Sequence, residues 1–195
     1  AVRAVGAERV VGLLMPERDS AGVQHKKRMP VDVYLQVVAA TNMKQRTRKL
    51  IEYYHAEARN YAVLGTPNRQ EFELGFFVRG GDGLADLKPI AHLYKTQVYA
   101  LADHLGLPEV VCAQPPTTDT YSLPQSQEEF YFAVGYEDMD VLLFAYEHDV
   151  APADAAAALG IDARAAQRVY QDIEGKRRTA RQLDQKPLRI DDARE

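Results

Sequence analysis

Between Gly65 and Lys95 the chain gathers side chains able to handle a strongly charged ligand. Tyr61 to Leu64 is a short apolar run closed by Gly65, which reads as one buried strand. Thr66 stands where that strand would end. Asn68, Glu71 and Glu73 follow, then the aromatic pair Phe76 and Phe77 and the tight turn Gly80-Gly81-Asp82-Gly83. Asp86, Lys88, His92 and Lys95 complete the set. Ionisable groups crowded just past the carboxyl end of a strand lie where open α/β sheets bind ligands. Core packing has no need of this many charges beside this many glycines.

Taken singly, each group has a plainer reading. Thr66 could be an ordinary helix cap. Glu71 could be a surface carboxylate in the first turn of a helix, favoured by the dipole. Lys95 fits this reading less well, because it begins an amphipathic helix whose amino end repels a cation. A bound phosphate accounts for it better than helix stability does. Lys44, Arg46 and Arg48 put three cations within five residues. Their pattern alone favours a solvent-facing helical turn over a clamp for an anionic ligand.

The elements that must position these groups read as α/β. Arg9 to Met15 is a continuous apolar run ended by Pro16, as expected of a parallel strand covered on both faces. A crossover helix should follow, yet Ala21 to Met29 is too brief and too polar to supply one. A further segment is therefore expected between Ser20 and Ala21 in the full chain. Residues 1–7 read as the tail of a helix begun earlier. Pro30 opens a helix with Tyr34, Leu35, Val37 and Val38 on its apolar face. That helix is expected to break at Asn42 and resume through Ile51, Tyr54 and His55.

Val98, Leu101, Ala102 and Leu105 recur at helical spacing, so a helix is expected over 94–104, ended by Gly106. Pro108 to Ala113 is a short turn or helix, and Pro115-Pro116 begins a polar loop. Ser126 with Glu129 fits a capping box. Helices are expected over 136–149 and 152–159, the second rich in alanine. Asp162 caps a last helix that carries Val169, Tyr170 and Ile173 into Lys176. The polar tail after Gln185 reads as loosely held. One domain over 1–195, with a helical C-terminal extension over 125–185, is the expected organisation.

Composition narrows the classes. A chain of 195 residues with 46% hydrophobic and 27% charged residues can bury a sizeable core. Its formal net charge of −4 argues against a general nucleic-acid binder. The short clusters Lys26-Lys27-Arg28 and Lys176-Arg177-Arg178 read as solvated faces or phosphate contacts. Cys112 is the single cysteine, which excludes a disulfide framework and a multi-cysteine zinc site; it reads as a buried, inert thiol. No apolar run has transmembrane length and no signal-peptide pattern opens the sequence, so a cytoplasmic protein is expected. The five histidines show no ligand spacing, and neither a Ser-His-Asp order nor a Gly-x-Gly-x-x-Gly stands out.

Four ordered motifs together resemble the NAD synthetase family. They are Gly65-Thr-Pro-Asn-Arg-Gln-Glu71, Gly80-Gly-Asp-Gly-Leu-Ala-Asp86, Pro89 with Leu93-Tyr-Lys-Thr-Gln-Val98, and Pro116-Thr117. The likeness runs from about residue 8 to about residue 178. It implies an open parallel sheet with helices on both faces and an ATP-pyrophosphatase that amidates deamido-NAD, the last step of NAD biosynthesis. ATP would adenylate the nicotinate carboxylate and release pyrophosphate, and ammonia would then displace AMP. Such chemistry needs cations, Mg²⁺ and backbone amides aimed at phosphates.

By this resemblance Thr66, Lys95 and Thr117 contact ATP and Glu71 binds Mg²⁺. Arg46, Arg79, Asp86 and Lys176 contact deamido-NAD. Asp82 is either an Asx-turn residue or a group that orients ammonia. Relatives work as homodimers, so a homodimer is expected, with no nucleic acid or membrane partner. Arg79 stands where many relatives carry Lys, which replaces a point charge with a fork. Gly175 stands where the family places a His before Lys176. The family's phosphate loop, Ser-Gly-Gly-x-Asp-Ser, is not in the sequence and is expected ahead of Ala1. Two rival readings take those departures differently: another ATP-pyrophosphatase such as a GMP synthetase or a tRNA-modifying relative, and a catalytically dead nucleotide-binding domain.

Overall fold

The computed structural model describes residues 30–114 and 134–187. The run read as a strand over 9–15, the joint near Ser20, the Ser126 capping box and Thr117 lie outside them. Helix α1 (Val31–Glu57) is continuous, so the break expected at Asn42 does not occur. An Asn costs a helix only some tenths of a kcal/mol, about the size that good neighbouring helix formers offset. Thr41 and Thr47 also turn their hydroxyls back onto Val37 O and Met43 O.

After α1 the chain straightens, and Leu64 pairs with Leu87 in an isolated parallel bridge. Gly65 N–H donates to Leu87 O at 2.7 Å and Asp86 N–H to Val63 O at 3.0 Å. Among the described residues this bridge stands alone, and Tyr61 and Leu64 are 42% and 38% exposed, so the buried strand expected over 61–64 is not found; only Val63 of that run turns inward. A short helix, α2 (Arg69–Leu74), follows at once. Gly75 ends it at φ 74°, the left-handed turn for which glycine is suited. Helix α3 (Lys95–His104) begins after Tyr94, and Gly106 at φ 61° ends that turn of chain. The four-residue α4 (Glu109–Cys112) lies on the surface, so Cys112 is half-buried rather than buried.

Helices α5 (Tyr136–Glu147), α6 (Pro152–Leu159) and α7 (Ala163–Asp184) complete the order. Asp162 caps α7 as expected, accepting from Arg164 N–H and Ala165 N–H. That helix runs on past Lys176 to Asp184. The buried cluster is built from Leu74, Tyr94, Met139, Leu142, Leu143, Ala155, Ala156, Ala166, Val169, Tyr170 and Ile173, among others. Alanines on α6 let it approach α7 closely, while α2 lies against α7 at Gly75 and Ala180. The C-terminal helices therefore share one core with α2 and the start of α3.

Charge stitches the same seam. Arg177 Nη2 reaches both Glu73 and Glu147, and Arg69 Nη2 lies 2.8 Å from Glu147 Oε2. Arg177 thus turns inward to two carboxylates, which corrects the reading of its cluster as a solvated face. Long-range pairing of this kind leaves no trace in a local run of cations.

Candidate active site

Three short segments carry the candidate residues: two meet at the amino ends of α2 and α3, and the glycine turn packs against α1. The first runs from Gly65 to Asn68, just past the Leu64–Leu87 bridge. A Cβ on Gly65 would sit 2.8 Å from Ala85 Cβ and 3.0 Å from Lys88 Cγ, so only glycine lets these segments close. Thr66 is exposed at this corner. Asn68 caps α2: its side chain accepts from Glu71 N–H at 3.0 Å, and Asn68 N–H donates to Glu71 Oε2 at 2.9 Å. Glu71 therefore closes a capping box, a signal the sequence carries at Asn68-x-x-Glu71. Glu73, two residues on, is committed to Arg177.

The second segment is the glycine turn. Val78 N–H donates to Asp82 Oδ1 at 2.8 Å, so Asp82 ties the turn back on itself. Burial raises its carboxyl above the usual range, against the lowering effect of the amides of Val78 and Asp82. A Cβ on Gly83 would run into the Phe77 ring. Arg46 Nε donates to Arg79 O at 3.1 Å, and Arg79 Nη2 donates to Gln185 O at 2.9 Å. Asp86 accepts from Val63 N–H at 2.7 Å and from the Tyr53 hydroxyl at 3.2 Å. Burial, then the bond to Asp86, raises the Tyr53 phenol. Arg46, Arg79 and Asp86 are thus collected between α1 and the turn.

The third segment leads into α3. Arg69 N–H donates to Leu93 O at 2.8 Å, which sets the start of α2 beside the start of α3. The Arg69 guanidinium stacks 4.8 Å from the Tyr94 ring centroid. Lys95 Nζ lies 5.6 Å from the Tyr99 ring centroid. The amino end of α3 is covered by a carboxylate from far along the chain. Asp140 on α5 accepts from Lys95 N–H at 3.2 Å and from Thr96 N–H at 2.8 Å. That carboxylate offsets the repulsion a cation meets at a helix start.

Thr66, Glu71 and Lys95 are therefore carried on adjoining segments. Lys176 is held apart from them on α7, paired with Asp172 at 2.6 Å. A groove of about 420 Å³ lies between α2 and α7, lined by Phe72, Glu73, Arg177, Ala180, Arg181 and Asp184, and it contains none of the three. Sequence reasoning missed Tyr53, Gln70 and Asp140. Only Asp140 left a signal, as a lone carboxylate inside the apolar run Met139 to Leu143.

Glu71 brings one carboxylate, with Oε2 accepting from Asn68 N–H, so Mg²⁺ there would be held largely by phosphate oxygens and water. Among the described residues no group of three or more His, Cys, Asp or Glu could cage a metal. Mg²⁺ commonly takes one or two carboxylates and fills its octahedron with phosphate oxygens and water. One carboxylate in the first turn of α2 is compatible with that pattern.

The family model described as NAD synthase matches residues 24–182. An NH(3)-dependent NAD(+) synthetase of Rhizobium meliloti (strain 1021) is 58% identical over 166 residues, 85% of this chain and 50% of that protein. Its counterpart from Rhizobium rhizogenes (strain K84) is 57% identical over 169 residues, 87% of this chain and 51% of that protein. The chain thus spans about half the length of the curated relatives it matches. Among solved structures, an NMN synthetase from Francisella tularensis superposes with a TM-score of 0.61 at 24% identity, covering 82% of this chain and 59% of that one. An NH3-dependent NAD synthetase from Campylobacter jejuni in complex with nitrate ion gives 0.57 at 22% identity, covering 82% and 61%. These two structures share the fold.

Proposed function

Since the chain belongs to the NAD synthase family, we propose that the protein amidates deamido-NAD to NAD at the expense of ATP, with free ammonia as nitrogen donor. One observation carries this reading: 58% identity across 85% of the chain to an NH(3)-dependent NAD(+) synthetase. The matched span 24–182 takes in Thr66, Glu71, Asp82, Lys95, Thr117 and Lys176 together.

A carboxylate resists attack by ammonia because its leaving group is poor. Transfer of AMP from ATP onto the nicotinate carboxylate forms an acyl–phosphate bond and releases pyrophosphate. Ammonia then adds to the activated carbonyl carbon, AMP leaves, and the nitrogen sheds a proton. In this reading Lys95 and the Thr66 hydroxyl hold ATP phosphates at the start of α3 and the strand end. Glu71 holds Mg²⁺, which neutralises phosphate charge when bound. Thr117 belongs to the same ATP set. Arg46, Arg79, Asp86 and Lys176 receive deamido-NAD, and Asp82 keeps the glycine turn in shape beside it.

In the same reading the site sits at the end of an open parallel sheet with helices on both faces, which the parallel Leu64–Leu87 bridge supports. The chain acts as one domain with a helical C-terminal part over 125–185, in the cytoplasm. Two copies pair along α1, where Tyr34, Leu35, Met43, Leu50 and Tyr54 are exposed at 54%, 58%, 63%, 71% and 68%.

Purified full-length protein given Mg²⁺, ATP, deamido-NAD and ammonium should form NAD and AMP in equal amounts. Glutamine in place of ammonium should give none. No NAD with ammonium rejects the proposal.

A further inference from the structure

One buried carboxylate joins the two helices whose first turns carry Glu71 and Lys95. Asp140 is 6% exposed and comes from α5, 44 and 45 positions beyond the amides it accepts from on α3. Its Oδ1 also accepts from Gln70 Nε2 at 2.5 Å, across 70 positions. Gln70 is 2% exposed and stands directly before Glu71. The same Gln70 amide donates to Tyr136 O at 3.0 Å, so both of its hydrogens go to α5. Three donors converge on two oxygens of one side chain, and two of those donors are the first backbone amides of α3.

We propose that Asp140 is a positioning residue that fixes Glu71 and Lys95 relative to each other, so that metal and ATP phosphate are met by a preset pair. The proposal rests on the reading above in taking Glu71 to the metal and Lys95 to ATP. α2 is only six residues long, and the bond from Arg69 N–H to Leu93 O joins it to the segment ahead of α3 without fixing the two first turns against each other. The Asp140 carboxylate does so from the side, in a site where an unpaired acceptor or donor is costly. An asparagine at this place has one acceptor oxygen for three donors. Whichever way its amide turns, an N–H then faces an N–H.

The test uses full-length protein with Asp140→Asn, Gln70→Met and no substitution. A non-hydrolysable ATP analogue is titrated at rising Mg²⁺, and deamido-NAD binding is measured separately. Asp140→Asn should raise the half-saturating Mg²⁺ about tenfold, as loss of a group that orients a ligand does, while deamido-NAD affinity stays within about twofold. Gln70→Met cuts only the α2 tie and leaves Asp140 on the α3 amides. It should shift the Mg²⁺ dependence the same way, and it carries the test if the Asp140 variant does not fold. A lower melting temperature with unchanged Mg²⁺ dependence in the folded variants overturns the proposal. If the unsubstituted protein forms no NAD but its variants show the Mg²⁺ shift, amidation fails and the positioning role stands. If it binds no ATP analogue at all, both fail.

Discussion

Tyr94 and Glu147 lie 53 positions apart, yet the Tyr94 hydroxyl donates to Glu147 Oε2 at 2.6 Å. The Glu147 side chain is 8% exposed and also receives Arg69 and Arg177. Burial, and then the bond to Glu147, pushes the Tyr94 phenol well above the ordinary range, so it remains a donor at any working pH. One carboxylate therefore ties α2, the entry to α3 and α7 to the end of α5.

Replacement of Glu147 by Gln leaves two guanidiniums around a neutral amide. Removing one partner of a fully buried pair costs about 3–5 kcal/mol. Arg69 and Arg177 are 31% and 23% exposed, so water takes up part of the loss. Glu147→Gln should destabilise by about 2 kcal/mol in urea unfolding, with an unchanged m-value. A change too small to resolve would mean that the Arg–Glu network adds little.

Gly75 and Gly160 separate backbone strain from crowding. Both have positive φ, 74° and 68°. A Cβ at Gly75 would meet Ala180 at 3.0–3.2 Å, whereas one at Gly160 meets nothing within 4 Å. Gly160→Ala should cost about 1 kcal/mol from left-handed backbone alone. Gly75→Ala should cost about 2–3 kcal/mol, because α2 and α7 must also part. Equal losses in chemical unfolding would show that the α2–α7 contact yields freely.

Much of the frame was legible because it is local. Asp162 as a cap and the alanine helix from Pro152 each announce themselves within a few residues. Asn42 misled because a weak local preference met a strong helix. Asp140 and Arg177 were hidden for the opposite reason. Their partners lie from 30 to 104 positions away, and chain separation is not written in a residue's neighbours. Glu71 was singled out by the resemblance, and its place in a capping box went unread. Asn68-x-x-Glu71 could have been read as that box from spacing alone.

Asp82 should give the protein a distinctive pH response. Burial makes its folded-state carboxyl hold a proton to higher pH than an ordinary aspartate does. Within that window the folded state binds more protons than the unfolded one, so this group's contribution to stability falls as pH rises. Asp82→Asn keeps an oxygen for Val78 N–H and removes the ionisation. The variant should gain most on the unsubstituted protein at neutral pH, and the gap should narrow as pH drops toward about 4. Urea midpoints that run parallel from neutral to acid pH would contradict the raised carboxyl.

Glu71→Gln distinguishes the two jobs that Glu71 can hold. Gln is accepted at the third position of a capping box, so its amide oxygen can still receive Asn68 N–H. Stability should fall by no more than about 1 kcal/mol, the size of the lost charge–dipole term. Mg²⁺ recognition is another matter, because a neutral amide is a far poorer ligand for a hard dication. In the full-length protein NAD formation should drop about a hundredfold, and excess Mg²⁺ should restore part of it. Full activity with normal Mg²⁺ dependence would reduce Glu71 to a cap and send the metal elsewhere. Loss of activity together with several kcal/mol of stability would instead mean that the corner itself had collapsed. Because the cap survives the Gln substitution, the two failures read differently, and a single variant measured both ways assigns the carboxylate.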